Sequence, residues 1–374
     1  MRWFFGGLLL LHGLIHLMGF AKAFGYADLP QLSEPISRPA GGVWLVAALL
    51  MLVTAAALFI WPRGWWLVGA LALLASQAVI MTSWTGAKFG TVANVIVLAG
   101  VVLGFAAHRP TSFRAQFERD VSAALAPASS PEPALTEADI ASLPLPVRRY
   151  IEKTGALGQP RVRNFHLTFE GRIRGGPEKA WMIFTGEQYN TYGPSARYFL
   201  MDAAMYGVPV TAFHRFVGTS ATMRVKAASI VPIVDASGPE MTRAETVTLF
   251  NDICVFAPGA LVDSKIEWRE IDASNFSASF TNEGVTIQAT LTFNDAFELV
   301  NFVSDDRLAG SSDGKSFTFM RWSTPLRDYA SFGSHHLSGY GVGRWHPKDG
   351  APYDYIQLSM KTIHYNVERP AAQR

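Results

Sequence analysis

Two histidines in the first apolar segment have the residue type and the spacing to do chemistry. His12 and His16 stand four residues apart, so a helix would present both on one face. Gln77 and Asn94 lie within two later apolar segments. A polar or ionisable group inside a membrane span is by default a functional hypothesis. The histidine pair could hold a metal ion or take part in proton or quinone chemistry; alternatively, these groups hydrogen-bond between helices and fix their packing.

Metal and cofactor binding are not expected. The other apolar segments contain no Cys, Asp, Glu or further His that would complete a ligand set for the histidine pair. His335 and His336 are adjacent in a predicted strand, so their side chains point to opposite faces and do not readily share an ion. The single cysteine, Cys254, rules out an internal disulfide or a Cys-rich zinc site, and we expect it to be a small buried side chain.

No standard catalytic motif is present, since GxSxG, HExxH and the P-loop are all absent. The acids Glu187, Asp235 and Glu240 could include a catalytic pair, but their spacing does not show that they meet. Whether the protein is an enzyme therefore stays open. Aromatic side chains are concentrated in the same region, and either core packing or an apolar pocket would account for them; they are Trp181, Phe184, Tyr189 and Tyr198.

Four apolar stretches precede this region, at about 3–24, 43–61, 65–83 and 91–107. At 1.5 Å per residue, helices of these lengths match a hydrocarbon layer of about 30 Å. A segment in lipid must satisfy its own backbone polar groups, which helices do. Trp61 and Trp65 flank a tight reversal at 62–64, where amphipathic rings favour the membrane interface. The sequence therefore predicts a bundle of four transmembrane helices in the bacterial inner membrane, with the lipid bilayer as partner.

Charge indicates which side of the membrane carries the termini. Four crossings place both ends of the bundle on one side, with five arginines against three basic residues on the other: Arg2, Arg63, Arg109, Arg114 and Arg119 against Lys22, Arg38 and Lys88. This small bias favours the cytoplasm for the large domain. The net charge of +2 and the absence of a long basic run argue against nucleic acid as a partner.

The composition changes after His108. Arg109, Arg114 and Arg119 alternate with Phe113 and Phe117, which predicts a short amphipathic helix on the lipid surface. Residues 126–133 are rich in Pro, Ala and Ser and predict a semi-extended linker. We therefore divide the chain into a transmembrane domain at 1–108, a juxtamembrane segment and linker at 109–135, and a soluble domain at 136–374.

The soluble domain has the period-two pattern of β-strands, clearest at 285–293. More than ten strands are predicted, including single runs at 221–231 and 329–345, with one internal helix at roughly 239–256. One apolar sheet face must be covered, which favours an α+β fold: a curved antiparallel sheet, or half-barrel, packed on helices. Such a shape either leaves an apolar cavity of lipid size or has a fully filled core, and the pattern leaves both open.

Several motifs together resemble an uncharacterised bacterial membrane-protein family with a domain of unknown function. They lie at 145–150, 154–158, 184–189, 234–240 and 268–272, with 12–16 and 87–91 in the membrane part. The resemblance implies an N-terminal four-helix membrane part and a β-rich domain similar in shape to lipoprotein-carrier half-barrels. It implies no activity.

Three functions follow as hypotheses. The leading one is a soluble domain that binds a lipid or other apolar molecule near the bilayer. The first alternative is an enzyme that acts on a membrane-derived substrate, and the second is a membrane bundle that senses protons or binds quinone through His12 and His16. The sequence predicts neither a ligand nor an oligomeric state.

Overall fold

The computed structural model of the protein describes residues 2–126, 132–311 and 313–371. Most of the predicted linker at 126–133 lies outside the described residues. The chain divides into two compact units, Met1–Ser112 and Phe113–Arg374. The first unit is helical and the second is built on a large sheet, which confirms the predicted fold class.

The first unit contains the predicted apolar helices. They are α1 (Arg2–Ala23), α2 (Arg38–Ile60), α3 (Trp65–Thr82), the single turn α4 (Trp84–Ala87) and α5 (Gly90–His108). By length and composition, α1, α2, α3 and the helical stretch that begins at Gly90 could each cross a membrane. Large apolar side chains such as Leu11, Val46 and Leu74 are exposed on their outer faces, as expected for helices surrounded by lipid.

Small residues bring α1 and α2 close together. A Cβ atom on Gly19 would lie 2.1 Å from the Trp44 ring, and one on Gly13 would lie 3.2 Å from the carbonyl oxygen of Ala48. Glycine at these two positions therefore lets the helix backbones approach, which is the usual way that membrane helices gain packing contact. The buried Trp44 ring depends on this space, because a side chain at position 19 would displace it.

The second unit begins with α6 (Phe113–Leu125), α7 (Glu137–Ile140) and α8 (Leu145–Lys153). Thr136 caps the start of α7, and its backbone N–H donates to Asp139 Oδ2 at 2.8 Å. The first six strands are β1 (Asn164–Ile173), β2 (Met182–Thr191), β3 (Ala196–Met205), β4 (Val208–Val217), β5 (Ser220–Ala227) and β6 (Val231–Ser237). The long helix α9 (Pro239–Phe256) follows, then a 3₁₀ turn, Pro258–Val262.

The remaining strands follow α9. They are β7 (Ile266–Glu270), β8 (Asn275–Asn282), β9 (Val285–Phe293), β10 (Leu299–Ser304), β11 (Leu308–Gly310), β12 (Phe317–Phe319), β13 (Arg321–Ser323), β14 (Leu326–Phe332), β15 (His335–His346) and β16 (Tyr353–Tyr365). Across the described residues, fourteen strands form one antiparallel sheet whose main path runs β6-β5-β4-β3-β2-β1-β16-β15-β13-β10-β9-β8-β7. The first and last strands of the unit, β1 and β16, pair near the middle of this path.

The sheet curls around α9. Fourteen of the eighteen residues of this helix are buried, so it is enclosed on all sides and not laid on a surface. The curl brings distant parts of the sheet path together: Asn282 Nδ2, in β8, lies 3.5 Å from the carbonyl oxygen of Gly218, in the turn after β4. The architecture is thus a half-barrel wrapped on a central helix, and its concave side is filled with side chains such as Phe250 and Leu291.

The amphipathic helix α6 does not match its prediction. Its apolar residues, including Phe117 and Val121, are buried against the outer face of β2, β3 and β4, where they meet Tyr189 and Phe213. The same apolar stripe that would bind lipid is covered here by a sheet face that is itself apolar. Periodicity predicts that such a stripe is covered, but not by what.

Two strand predictions were also wrong. The run 329–345 is a hairpin, because Gly333 adopts a positive φ of 63° and turns the chain between β14 and β15. The run 221–231 ends earlier, at Ala227. Ala228 and Ser229 then form a turn with φ of 52° and 56°, and β6 continues the sheet.

Candidate functional site

Polar side chains from three helices of the first unit meet in one buried network. His12 and His16 lie on α1, Ser76 on α3 and Asn94 on α5, and each is at most 3% exposed. Asn94 is the centre of the network, because its Oδ1 lies 3.0 Å from His12 Nε2 and 2.9 Å from Ser76 Oγ. Its Nδ2 donates to Gln77 Oε1 at 2.9 Å. The structure therefore brings together all four residues singled out in the apolar segments of the sequence: His12, His16, Gln77 and Asn94.

Hydrogen-bond direction assigns the histidine tautomers. The Ser76 hydroxyl donates to Asn94 Oδ1, so at 2.8 Å it accepts from His16 Nε2–H. Asn94 Oδ1 only accepts, so His12 also carries its proton on Nε2. The Nδ1 atom of His16 is then a bare acceptor. In the part of the chain that the structure describes, neither this atom nor Nε1 of the adjacent Trp44 ring has a hydrogen-bond partner.

A second buried network lies inside the half-barrel and consists of ions. Arg197, on β3, contacts two carboxylates of α9: its Nε lies 2.7 Å from Asp252 Oδ2 and its Nη1 3.1 Å from Glu245 Oε2. Gln188 Nε2 donates to the same Asp252 oxygen at 2.7 Å. Arg307 approaches Glu245 from the other side, with 3.6 Å between Nη1 and Oε1.

The pKa values of the two carboxylates are shifted in opposite directions. Burial alone would raise the pKa of Glu245, but Arg197, His214 and Arg307 together hold it well below its usual range. Burial raises the pKa of Asp252 above its usual value despite the contact with Arg197. Two arginines against two carboxylates leave this interior network near neutrality, which is the condition for burying charge.

A third group lies on the outer face of the sheet, under α6. Arg114, on α6, donates to Glu187 Oε2 and to Asp202 Oδ2, both at 2.8 Å. His166 Nε2 lies 3.3 Å from Glu187 Oε1, and its ring stacks on Tyr189 with 4.3 Å between centroids. The contacts of Arg114 attach α6 to the sheet, and His166 holds the Glu187 carboxylate from the neighbouring strand.

A cavity of about 440 Å³ lies where the curled sheet comes back on itself. Small side chains from the β4–β5 turn, the end of β6, the start of α9 and the start of β9 line it: Thr219, Ser220, Ala221, Ser237, Gly238, Pro239, Thr242 and Val285. We call it the seam cavity. Gly238 has a φ of 104°, which an L side chain rarely adopts, and this conformation turns the chain from β6 into α9 at the wall of the cavity.

The remaining sequence candidates are dispersed. Phe184 is in the core beneath the sheet, and Tyr198 is on the outer face under α6. Trp181 contacts the guanidinium groups of Arg172 and Arg174 through its ring. None of these residues, nor Tyr189, lines the seam cavity.

The carboxylates proposed as a catalytic pair are also apart. Glu187 and Asp235 are linked in register through Leu200, Phe213 and Arg224, so four strand spacings of ~4.8 Å separate them along the sheet. Glu240 is exposed at the start of α9. None of the three lines the seam cavity. Among the described residues, no group of three His, Cys, Asp or Glu could hold a metal ion.

The interior ions were missed by the sequence reasoning. The available signal was the spacing of Glu245 and Asp252, seven residues apart and so on one face of a helix whose other positions are largely apolar. Acids on a helix that must be buried predict a buried cation, but the pattern does not say which arginine supplies it.

Four apolar helices followed by a half-barrel on a central helix define a protein with a membrane-type helical part and a β-rich domain. The chain belongs to a family of unknown function, DUF6544, whose model matches residues 133–358, and this confirms the resemblance seen in the sequence. No curated protein matches the chain.

Solved structures with similar folds include two bacterial proteins. One is a putative outer membrane lipoprotein-sorting protein domain from Vibrio parahaemolyticus, 10% identical, with a TM-score of 0.31 over 54% of this chain and 85% of that one. The other is a DUF1329 family protein from Desulfovibrio piger, 11% identical, with a TM-score of 0.34 over 63% of this chain and 95% of that one. Likeness at this level supports no argument about function.

Proposed function

We propose that this is a multi-pass protein of the bacterial inner membrane whose β domain binds a lipid or other apolar molecule in the seam cavity. The observation that carries the proposal is the cavity itself. Its volume of about 440 Å³ lies within the ~300–1,000 Å³ typical of small-molecule sites. The four apolar helices would keep the domain beside a source of such ligands.

The lining suits an apolar guest because its polar groups are partly occupied. The Thr242 hydroxyl lies 3.1 Å from the carbonyl oxygens of both Thr219 and Gly238, to which it donates. Its methyl group is then the free part of the side chain. Ala221, Pro239 and Val285 add further apolar surface. Removing such surface from water is the favourable term in binding an apolar molecule.

Blocking the cavity tests the proposal. Ser237 is exposed at the cavity wall, so Ser237→Trp should fill the space without disturbing the core. The full chain in lipid nanodiscs would be titrated with a fluorescent fatty acid, which brightens in an apolar site. We expect saturable binding by the unsubstituted chain and a loss of about tenfold or more in affinity in Ser237→Trp, which corresponds to ~1.4 kcal/mol or more.

The matched control is Ser331→Trp, because Ser331 is also an exposed serine in a strand but does not line the cavity. It should bind the fatty acid like the unsubstituted chain. The proposal would be overturned if nanodiscs that contain the unsubstituted chain take up no more fatty acid than empty nanodiscs. Equal affinities of the two tryptophan variants for the fatty acid would also overturn it.

A second candidate function resides in the membrane bundle, where His12 and His16 would sense protons or bind a quinone. The specific observation in its favour is that both rings join one network with Ser76 and Asn94. Protonating His16 would place a donor at Nδ1, an atom for which the described residues provide no hydrogen-bond partner. Replacing both histidines with alanine should then abolish any conformational change between pH 5 and 8 seen by hydrogen exchange of α1. Identical exchange in both chains would eliminate this candidate.

The side of the membrane that carries the β domain is part of the proposal. The excess of arginine near the termini of the bundle favours the cytoplasm. A reporter fused after Arg374, active on one side of the membrane only, would test this assignment directly.

A further inference from the structure

Three neighbouring hairpin turns lie at the same end of strands β1 to β6 and carry exposed apolar side chains there. The β1–β2, β3–β4 and β5–β6 turns lie at this common end because Phe184 pairs with Ala203 and Val210 pairs with Ala227. The backbone N–H of Ala228 donates to the carbonyl oxygen of Pro209 at 2.7 Å, so two of the turns touch. We call the exposed residues the apolar tip: Ile183, Met205, Tyr206, Val208, Ile230 and Val231.

The apolar tip is not needed by the fold. Tyr206 is 95% exposed, and Ile183 and Val231 are 70% and 56% exposed. Tyr206 also occupies a turn position with φ of 51°, followed by Gly207 at 82°. Tight turns of this kind favour Asn, Asp or Gly at the first position, so a bulky aromatic residue there is disfavoured. A strained, exposed aromatic residue indicates a partner outside the domain.

The surroundings of the tip are aromatic and basic. Arg172, the strand partner of Ile183, and Arg174 lie over the Trp181 ring at 4.6 and 4.5 Å. Lys226, one residue before the end of β5, lies 4.6 Å from the ring centroid of Phe113. Exposed apolar residues, an amphipathic tryptophan and flanking cations are the combination that suits an interface with anionic lipid headgroups.

The covalent chain also favours lipid as the partner. The last apolar helix ends at His108 and α6 begins at Phe113, so at most about 18 Å of extended chain joins the two residues. Phe113 packs on Arg224 and Lys226 at the tip end of β5. The covalent link from α5 therefore enters the β domain at Phe113, beside Lys226 at the same end of β5 as the apolar tip.

We propose that the apolar tip inserts into the headgroup boundary of a phospholipid bilayer and makes the β domain a second, peripheral membrane contact. The burial of Tyr206, Ile183 and Val231 in this layer would remove from water apolar surface that the fold leaves exposed. This contact goes beyond the proposed ligand site, because it does not depend on an occupied seam cavity.

A site-specific fluorophore tests the contact in the full chain. Cys254 is fully buried, so a cysteine introduced at the surface can be labelled selectively. Tyr206→Cys would be labelled with a polarity-sensitive dye, and the chain placed in nanodiscs of phosphatidylcholine and phosphatidylglycerol with or without bromine on the acyl chains. We expect bromine to remove about half or more of the emission, since interfacial side chains reach ~5–10 Å into the headgroup and acyl boundary.

Gly193→Cys is the matched control, because Gly193 lies in the β2–β3 turn at the opposite end of these strands and an added Cβ meets nothing within 4 Å. Its emission should not respond to bromine. A second tip label at Val231 guards against a local effect of changing the strained turn, and it should be quenched like the label at position 206.

Two results would overturn the proposal: emission at both tip positions typical of water and insensitive to bromine, or blue-shifted emission that bromine does not quench. The second result would mean that a protein surface covers the tip. Failure here is distinguishable from failure of the ligand site, because Ser237→Trp should weaken fatty-acid binding about tenfold or more and leave the quenching at position 206 unchanged.

Discussion

The two buried polar networks of this protein differ in charge. In the helical unit, Asn94 joins His12 and Ser76 through hydrogen bonds between groups that are neutral in the assigned tautomers. In the half-barrel, Arg197 joins Glu245 and Asp252 through contacts between full charges. Both networks are almost completely buried, and both connect elements far apart in the sequence.

The proposed position of the helical unit in a bilayer accounts for the difference. Lipid does not solvate an ionised side chain as water does. Such a side chain therefore costs several kcal/mol on a helix in lipid, and neutral partners are preferred. A water-soluble domain can bury ions when opposite charges and hydrogen bonds compensate one another. Loss of one member should therefore cost much more in the half-barrel than in the helical unit.

The largest expected effect is in the half-barrel. Arg197→Met leaves Glu245 and Asp252 buried without their shared cation, which should cost about 3–5 kcal/mol of unfolding free energy. For a domain of this size the melting temperature should fall by about 6–20 °C. Thermal melting of the full chain in detergent, followed by near-ultraviolet circular dichroism, measures it.

Arg327→Met is the control for that substitution. The Arg327 side chain is 65% exposed and lies beside Asp328 at 3.9 Å, so its removal should change the melting temperature by a degree or two at most. Equal melting temperatures for the Arg197 and Arg327 variants would show that the interior ions do not support the fold.

A smaller effect is expected in the helical unit. Asn94→Leu removes the amide that accepts from His12 and Ser76 and donates to Gln77. Hydrogen bonds between membrane helices contribute about 0.6 kcal/mol on average and at most ~2 each, so we expect a loss of about 1–2 kcal/mol. Reversible unfolding of the full chain by sodium dodecyl sulfate, monitored by tryptophan fluorescence, measures it.

Val92→Leu serves as the reference. Val92 is 63% exposed on the same helix, and this substitution exchanges one apolar side chain for another at an exposed apolar surface. A loss for Asn94→Leu as large as that for Arg197→Met would contradict the contrast between neutral and ionic networks.

The helices and the central features of the sheet were predictable because they follow from periodicity and length. The spans containing His12, Gln77 and Asn94 are uninterrupted apolar runs, and the strand at 285–293 alternates strictly. That the polar groups of three spans meet could only be a hypothesis, since helix rotation is set by packing such as the Gly19–Trp44 contact.

The parts that were not predictable depend on what covers an apolar surface. The stripe on α6 with Phe117 and Val121 suits lipid and sheet equally, and only the tertiary contact with Phe213 decides between them. In the same way, Arg197 looks like an ordinary strand arginine until the buried acids of α9 are placed beside it. Sequence indicates that a group needs a partner, while the fold identifies the partner.

The outer-face group is ionic but partly exposed, and its loss should have the smallest effect. Burial raises the pKa of Glu187, but His166 and Arg114 outweigh it, so its pKa in the folded chain is below the ordinary value of 4.5. A lowered carboxyl pKa stabilises the folded state above that ordinary value, and the contribution is lost as the pH falls below it. Glu187→Gln should cost about 1 kcal/mol at pH 7, because Glu187 keeps some contact with solvent.

The acid side of the stability curve sharpens this last expectation. Between pH 5 and pH 3, the melting temperature of Glu187→Gln should fall less steeply than that of the unsubstituted chain, since the variant has one fewer proton to bind. Glu170→Gln is the control: Glu170 is 59% exposed and paired with Lys361 on the surface, so its replacement should leave the curve nearly unchanged. If Glu187→Gln and Glu170→Gln give the same curve, Arg114 does not hold α6 to the sheet through this carboxylate.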